Sequence, residues 1–145
     1  MKIREAKETD ISPMQVIRVA VKENVLSNPA SITPSDYQEF LFERGKGWVC
    51  EIENEIVGFA IIDLQENNIW ALFVHPNYEG IGVGKALHKT MLNSYFASNK
   101  TKLWLGTEPN SRAAIFYKKA GWELVGMHGK KELKFEMNYE NFSLI

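Results

Sequence analysis

The sequence predicts a mixed α/β fold with a central, mostly antiparallel, twisted sheet of about six or seven strands and helices on both faces. Runs rich in β-branched and aromatic residues alternate with runs of helical spacing along all 145 residues, in the order β-α-α-β-β-β-α-β-α-β-β. Residues 48–52, 56–64 and 69–74 are consecutive β-rich runs joined by the polar turns "ENE" and "QENN". Short polar turns between such runs are typical of an antiparallel meander.

The first part of the chain predicts an edge strand and a helix. Residues 2–6 are the edge-strand candidate. Asp10 or Ser12 can cap the following helix, with Pro13 in its first turn. The apolar residues of that helix recur at helical spacing: Met14, Ile17, Val21 and Val25.

A second helix is predicted to begin near Pro34 and Ser35, after the loop-like segment 28–34. Gly45 and Gly47 end it, because glycine disfavours the helical backbone. Its larger apolar and aromatic residues lie on one side: Tyr37, Phe40 and Leu41.

The second half of the chain predicts two further helices and three short strands. The first of these helices ends near Asn99 and carries its apolar residues at helical spacing: Val83, Leu87, Met91 and Leu92. The later elements are a buried strand at 103–105, a helix at 110–120 stopped by Gly121, and an antiparallel pair at 122–127 and 132–138.

Composition predicts a single domain over residues 1–145 that works in the cytoplasm. The hydrophobic content of 45% and the charged content of 24% match ordinary globular proteins. Cys50 is the one cysteine, which excludes an internal disulfide and fits a reducing compartment. No apolar run approaches the ~18 residues that span a membrane, and the N-terminus does not resemble a signal peptide. The net charge of -1, with scattered charges, argues against a nucleic-acid partner.

Three glycines at alternate positions mark the start of the third predicted helix. The segment "VHPNYEGIGVGKALH" contains Gly80, Gly82 and Gly84. A helix start leaves about four backbone N–H groups unpaired and carries partial positive charge, which suits a phosphate. Glycines permit close approach and positive φ, and Lys85 adds charge. The loop therefore predicts a cradle for a pyrophosphate.

The glycine loop by itself leaves alternatives open. A simple tight turn would use the same residues. The loop lacks the G-x-x-x-x-G-K-[ST] spacing of a P-loop, and no acidic residue sits at a clear second-strand end, so it is a poor Rossmann match. Taken alone, it indicates a phosphate-bearing ligand and does not identify that ligand.

A second segment, "EPNSRAAIFYKKAGW", combines a helix start with small and aromatic residues. Asn110 directly follows a strand and is a candidate N-cap. Ala113 and Ala114 allow close packing against the helix. Phe116 and Tyr117 have the spacing of core residues, but the Tyr117 hydroxyl can also donate a proton or a hydrogen bond.

Together the two segments resemble the GNAT family of N-acetyltransferases. The first family signature is a strand ending V-x-P followed by [Q/R]-x-x-G-x-[G/A], matched at residues 74–76 and 79–84. The second is N-x-x-A-x-x-[FLI]-Y-x-[KR]-x-G-[FW], matched in register by Asn110, Ala113, Phe116, Tyr117, Lys119, Gly121 and Trp122. The predicted element order is similar to that of the family over nearly the whole chain.

The resemblance implies a site for acetyl-CoA as co-substrate, with no metal. The backbone of Leu72, Phe73 and Val74 would pair with the pantetheine arm like an added strand, and a bulge there would splay the sheet. Backbone N–H groups of the glycine loop would hold the pyrophosphate: Gly80, Ile81, Gly82, Val83, Gly84 and Lys85.

The helix of the second segment would supply the remaining contacts to the co-substrate. By the same resemblance, Asn110 would hydrogen-bond the pantetheine, while Ala113 and Phe116 would line it. Tyr117 would protonate the leaving thiolate. Because the amine attacks the acetyl carbonyl directly, no nucleophilic side chain is required, and Cys50 is expected to be a small buried hydrophobe.

Two positions depart from the family pattern. Glu79 stands where the signature has Gln or Arg, and a carboxylate beside a pyrophosphate is repulsive unless it turns away or meets a cation. Ribosomal-protein N-acetyltransferases carry a glutamate on the strand before the second helix, where this chain has Gly106. Glu108 is the candidate base, although it can also cap a helix or face solvent, and an ordered water can replace it. His75 is expected in a turn, and His88 on an exposed helix face.

The acceptor is predicted to be a primary amine of a small molecule or a peptide, bound near Tyr37 and Trp70. The remaining candidates for this pocket are Phe40, Trp104, His128 and Tyr139. A weakly catalytic acyl-CoA-binding or sensor module on the same fold is the first alternative, and a nucleotide-binding protein is the second. A homodimer is left open.

Overall fold

The computed structural model describes residues 1–21 and 32–144, and it divides the chain into two compact units, Met1–Ser94 and Tyr95–Ile145. Val25 and most of the predicted loop at 28–34 lie outside the described residues. The elements of the described part are β1 (Lys2–Glu5), α1 (Ile11–Ala20), α2 (Pro34–Gln38), β2 (Gly45–Ile52), β3 (Glu55–Asp63), β4 (Asn68–Val74), α3 (Val83–Ser98), β5 (Leu103–Thr107), α4 (Arg112–Lys119), β6 (Glu123–His128), β7 (Glu132–Met137) and α5 (Tyr139–Ser143). The expectation of one domain over residues 1–145 stays a prediction.

In the first unit, β1, β2, β3 and β4 pair in sequence order as an antiparallel meander. The three-run meander is therefore confirmed, with β1 added at its edge. The strand β2 begins three residues earlier than predicted, so Gly45 and Gly47 lie inside it. A Cβ at Gly47 would lie 2.3 Å from Leu41 Cδ2, which explains a glycine where the preceding helical segment packs on the strand.

Helices lie on both faces of this meander, as predicted. Successive residues of β3 point to opposite faces. Phe59 belongs to the buried cluster that includes Met14 and Ile17 of α1. The adjacent Gly58 faces α3, since a Cβ there would meet Leu87 Cδ1 at 3.0 Å.

Asp10 lies at the N-cap position of α1 and Ser12 lies inside the helix, but the Asp10 side chain makes no capping hydrogen bond to α1. The Asp10 carboxylate accepts hydrogen bonds from the Lys7 backbone N–H at 2.8 Å and from both terminal nitrogens of Arg4 at 2.8 and 2.9 Å. Burial works to raise the pKa of Asp10, but Arg4 and Lys7 outweigh it and hold that pKa below its usual value. A single turn of 3-10 helix, Glu8–Asp10, leads directly into Ile11.

The second helix begins at Pro34, as predicted, and Thr33 caps it. Thr33 Oγ1 accepts from the Asp36 backbone N–H at 3.3 Å, and Asp36 Oδ2 accepts from the Thr33 backbone N–H at 2.8 Å, a reciprocal capping box. The helix continues as a π-turn over Glu39–Glu43, which carries Phe40.

In the second unit, β7 pairs antiparallel with both β5 and β6. The predicted final pair is confirmed at 123–128 and 132–137. The helix α5, capped by Asn138 through the Asn141 backbone N–H at 2.7 Å, was not expected from the sequence. The mixed α/β class with a mostly antiparallel arrangement is confirmed, and the splaying at β4 stays a prediction.

Candidate active site

The segment between β4 and α3 is anchored by His75, which lies in a turn as expected. The His75 backbone N–H donates to Val57 O at 2.8 Å, which ties the end of β4 to β3. Its Nδ1 accepts from the Asn77 backbone N–H at 3.1 Å, and a 3-10 turn over Pro76–Tyr78 follows. These hydrogen bonds therefore constrain the backbone of the residues that lead to Glu79.

Gly80 and Gly82 form an open backbone surface directly before α3. Their φ angles are 78° and 92°, and apart from the adjacent residues no atom of the described residues lies within 4 Å of where a Cβ would stand on either. Gly82 O accepts the helical hydrogen bond of Ala86 at 3.0 Å, so the N–H groups of the first helical turn have no partner one turn earlier. Gly84 lies within that first turn. The loop fits a phosphate in shape and in polarity.

The side chains around these glycines divide into exposed and buried ones. Glu79, Ile81 and Lys85 are exposed, whereas Val83 is buried. Val83 can therefore contribute only its backbone to a ligand in this loop. Glu79 makes an interaction within the chain and is not a free carboxylate.

Gly58, which the sequence did not single out, positions the start of α3. A Cβ at this residue would lie 2.8 Å from Val83 Cγ1 and 3.1 Å from Phe73 O. The absence of a side chain thus lets the first turn of α3 approach the sheet closely. A glycine inside a β-rich run is the signal that indicates such an approach.

His88 contradicts its expected exposure. The residue is 6% exposed on α3, and burial lowers its pKa to about 4. Helical spacing places position 88 beside the apolar residue Leu87, which periodicity alone did not resolve.

An aromatic cluster with an arginine lies on the α1 side of β4. Arg18 Nε donates to the Tyr37 hydroxyl at 3.0 Å, and Arg18 Cζ lies 4.6 Å from the ring centroid of Phe73 and 5.1 Å from that of Trp70. Trp70 stacks on Phe40 at 4.3 Å between ring centroids. The structure thus brings together Tyr37 and Trp70, the two predicted acceptor residues. We call Arg18, Tyr37, Phe40, Trp70 and Phe73 the Arg18 cluster.

Two details of the Arg18 cluster bear on its chemistry. Trp70 is the extra residue of a bulge in β4, because Ile61 pairs with Ala71 and Ile62 pairs with Ile69. Burial raises the pKa of the Tyr37 hydroxyl, and the Arg18 cation opposes that rise. Arg18 was missed in the sequence, although its place beside the apolar stripe of α1 was a usable signal.

In the second unit, α4 begins at Arg112 and is capped by Ser111, which corrects the assignment of Asn110 as the cap. Ser111 Oγ accepts from the Ala114 backbone N–H at 3.1 Å and donates to Glu108 O at 2.7 Å. Asn110 has a φ of 61° and is exposed. Its amide side chain is therefore not used to start the helix.

Tyr117 is buried among aromatic rings. Its ring centroid lies 5.3 Å from that of Phe116, 5.5 Å from that of Trp122 and 6.3 Å from that of Phe135. Burial raises the pKa of the Tyr117 hydroxyl well above its ordinary value. The phenol is therefore a proton donor throughout the neutral range.

Two carboxylates lie near the end of β5. Glu108, the predicted base, directly follows the strand and is half-buried. Glu132 of β7 was not expected: its Oε1 lies 2.8 Å from where a Cβ on Gly106 would stand. Trp104 also lies on β5, and its ring centroid is 4.7 Å from that of His128.

The described residues contain no group of three His, Cys, Asp or Glu side chains that could hold a metal ion. Over the same residues, no helix has both the length and the apolar character to cross a bilayer.

The first unit thus has a glycine loop whose shape and polarity suit a phosphate, and the second has a buried phenol on α4. Comparison with known proteins assigns the family. The sequence model of the Acetyltransferase (GNAT) family matches residues 16–122. The chain belongs to this family, which confirms the resemblance drawn from its two signatures.

Individual proteins agree with that assignment. The chain is 30% identical to an uncharacterized N-acetyltransferase of Methanocaldococcus jannaschii, over 60% of this chain and 44% of the relative. It is 31% identical to the [ribosomal protein bS18]-alanine N-acetyltransferase of Haemophilus influenzae, over 50% of this chain and 51% of the relative. The chain thus spans about half the length of these curated relatives. The PaiA N-acetyltransferase of Thermoplasma acidophilum, solved in complex with coenzyme A, has the same fold, with a TM-score of 0.78, 16% identity, and coverage of 95% of this chain and 98% of that one.

Proposed function

We propose that this chain is an acetyl-CoA-dependent N-acetyltransferase that moves the acetyl group directly to a primary amine of a small molecule or a peptide. The open glycine surface before α3 carries the proposal, because its geometry fits a pyrophosphate and its sequence matches the family signature. The Haemophilus relative, named for an alanine of a ribosomal protein, supports including peptide amines.

The proposed co-substrate contacts are mostly backbone contacts. The N–H groups from Gly80 to Lys85 hold the pyrophosphate, and the backbone of Leu72, Phe73 and Val74 pairs with the pantetheine arm. Asn110, Ala113 and Phe116 supply the further contacts. Glu79 lies at the mouth of the loop and is exposed, so its carboxylate can turn toward solvent and away from the phosphates.

The proposed chemistry needs one base and one acid. An amine that is protonated at neutral pH must lose a proton before it attacks, and Glu108 takes that proton. The new C–N bond forms as the C–S bond breaks, and the extra proton on the attacking nitrogen leaves to solvent. Tyr117 gives a proton to the thiolate and is reprotonated from solvent. The Tyr117 hydroxyl is protonated at neutral pH, as the acid role requires, and its raised pKa makes it a weaker acid than an exposed tyrosine.

The test combines binding with turnover. Acetyl-CoA should raise the melting temperature, whereas ATP and NAD should not, and thiol release should depend on an added amine. A shift with ATP or NAD alone would favour a nucleotide-binding protein. A shift with acetyl-CoA and no thiol release across a broad amine panel would favour an acyl-CoA-binding module.

The identity of the base is tested by comparing two variants. Glu108→Gln should lower kcat by about 10²–10⁴ and raise the pH at which the rate becomes maximal. Glu132→Gln is the matched variant, since Glu132 is the other carboxylate near the end of β5. If only Glu132→Gln lowers kcat, Glu108 is not the base.

A further inference from the structure

All three arginines of the first unit are partly buried, and within the described residues two of them pair with a carboxylate. Arg4 pairs with Asp10 at 2.8 Å and with Glu51 at 2.6 Å. Arg44 pairs with Asp63 at 2.8 Å and with Glu39 at 3.3 Å. For Arg18, the structure records no ion pair within the described part of the chain.

One buried nitrogen of Arg18 has no hydrogen-bond partner in the described part of the chain. Its Nε donates to the Tyr37 hydroxyl, and its guanidinium lies over the rings of the Arg18 cluster. Nη2 is buried and has no hydrogen-bond partner among residues 1–21 and 32–144. A buried charged donor without a partner is costly, and native structures seldom keep one unless something else completes it.

A second unused polar atom lies one turn earlier on the same helix. Gln15 Nε2 donates to Ile32 O at 2.9 Å, while Gln15 Oε1 is buried and accepts no hydrogen bond from the described residues. Residues 15 and 18 are neighbours on one helix face, because side chains three apart lie side by side. This face of α1 thus offers a charged donor and a neutral acceptor.

We propose that Arg18 binds a carboxylate of the acceptor molecule, with Gln15 Oε1 accepting a hydrogen bond from an N–H of the same molecule. The inference rests on the proposed acetyltransferase function and names the acceptor class: amines that also carry a carboxylate. A singly charged group fits best, because the cluster holds one cation and no lysine.

The position of the cluster fits such a role. Trp70 and Phe73 belong to β4, the strand proposed to hold the pantetheine arm. A carboxylate held by Arg18 therefore fixes the acceptor beside that strand. The Tyr37 hydroxyl orients the guanidinium, which leaves Nη2 for the ligand.

The experiment compares amines that differ only in charge. The probes are 4-aminobutyrate against 4-aminobutanamide, for a free small molecule, and alanyl-glutamate amide against alanyl-glutamine amide, for a peptide. In at least one pair the carboxylate should give a kcat/KM at least 10-fold higher, mostly through KM, as expected for a hydrogen bond to a charged group. The pair that shows the preference identifies the source of the carboxylate.

Variants separate binding from folding. Arg18→Gln should remove the preference, and Arg18→Lys should retain part of it, because lysine keeps the charge but lacks the planar fork. Arg44→Gln is the matched control and should keep the preference for the carboxylate probe, since Arg44 is already paired with Asp63 and Glu39. A preference that survives in Arg18→Gln would overturn the proposal, as would equal kcat/KM within both pairs for the unmodified protein.

A direct binding measurement covers the case in which no probe is acetylated. Calorimetry of the CoA-loaded protein should show that a carboxylate probe binds at least 10-fold tighter than its amide. That result without turnover would support the carboxylate site and count against the proposed transferase activity. Equal or absent binding of both members in both pairs would overturn the carboxylate site, whatever the result with acetyl-CoA.

Discussion

Arg44 and Arg18 both place a guanidinium over aromatic rings, but among the described residues Arg44 pairs with carboxylates and Arg18 does not. Arg44 lies 4.9 Å from the Phe40 ring centroid and donates to both carboxylate oxygens of Asp63, at 3.0 and 2.8 Å. Arg18 lies over Phe73 and Trp70 and donates to a phenol, while its Nη2 stays without a partner in the described residues. The comparison suggests a division: groups that the chain completes stabilise the fold, and groups that it leaves open bind or transform a ligand.

The largest expected effect tests whether the buried Tyr117 hydroxyl contributes to catalysis. Tyr117→Phe removes only the hydroxyl, so kcat should fall by about 10²–10⁴ while the melting shift caused by acetyl-CoA is kept. Tyr95→Phe is the matched control, because the Tyr95 hydroxyl donates to Thr101 O at 3.0 Å and is expected to affect unfolding but not kcat. Unchanged turnover in Tyr117→Phe would remove this residue from the acid role.

The next effect concerns the open glycine surface. Gly82→Val puts a branched side chain where φ is 92° and where the phosphate is proposed to lie, so acetyl-CoA affinity should fall about 100-fold, which corresponds to roughly 2.7 kcal/mol. Gly129→Val introduces comparable backbone strain at a φ of 65° in the turn between β6 and β7, and it should leave that affinity intact. Calorimetric titration measures both variants, and full affinity in Gly82→Val would contradict the cradle.

The free energy of unfolding shows directly how much Arg44 and Arg18 each contribute to stability. Asp63→Asn removes the charge that completes Arg44 and should lower the free energy of unfolding by about 2 kcal/mol, less than a fully buried pair because Arg44 is partly exposed. Arg18→Gln should lower it by less than about 1 kcal/mol, since only one hydrogen bond and ring contacts are lost. Urea unfolding at constant m-value gives both numbers. A larger loss for Arg18→Gln would remove the distinction between the two clusters.

The smallest effect near neutral pH is a pH dependence of stability caused by His88. Its folded pKa of about 4 lies below the ordinary value of 6.5, so the unfolded chain binds the proton first. The stability is fully present above about pH 6.5 and falls by roughly 1 kcal/mol per pH unit as pH drops toward 4. His88→Leu should flatten this part of the profile. A profile that is identical in the variant would show that another group causes the loss.

The sequence was sufficient where local patterns determine structure. Helical spacing located α3 through Leu87 and Met91, and the polar turns located the meander that ends in β4. The two signatures also identified the family, because the residues of each signature lie close together in the chain. These features depend on neighbours within a few positions, which the sequence displays directly.

The remaining features depend on contacts between distant segments. The burial of His88, the cap at Ser111 and the aromatic surroundings of Arg18 each depend on packing that periodicity cannot specify. Arg18 meets Tyr37 and Phe73, which are far away in sequence, so its place beside the apolar stripe of α1 could indicate packing but not these partners. For the same reason, the carboxylate of Glu132 over Gly106 became visible only in the structure.

Gly58 has a consequence for transplanting the glycine loop into another protein. The helix that follows the loop approaches the sheet to where a Cβ at position 58 would meet Val83 Cγ1 at 2.8 Å. A graft of residues 74–88 onto a sheet with a larger residue at the equivalent position would shift the helix and turn its N–H groups away from the intended anion. The transferable unit is therefore the loop together with a glycine on the neighbouring strand, and a sequence motif that omits this glycine describes only part of it.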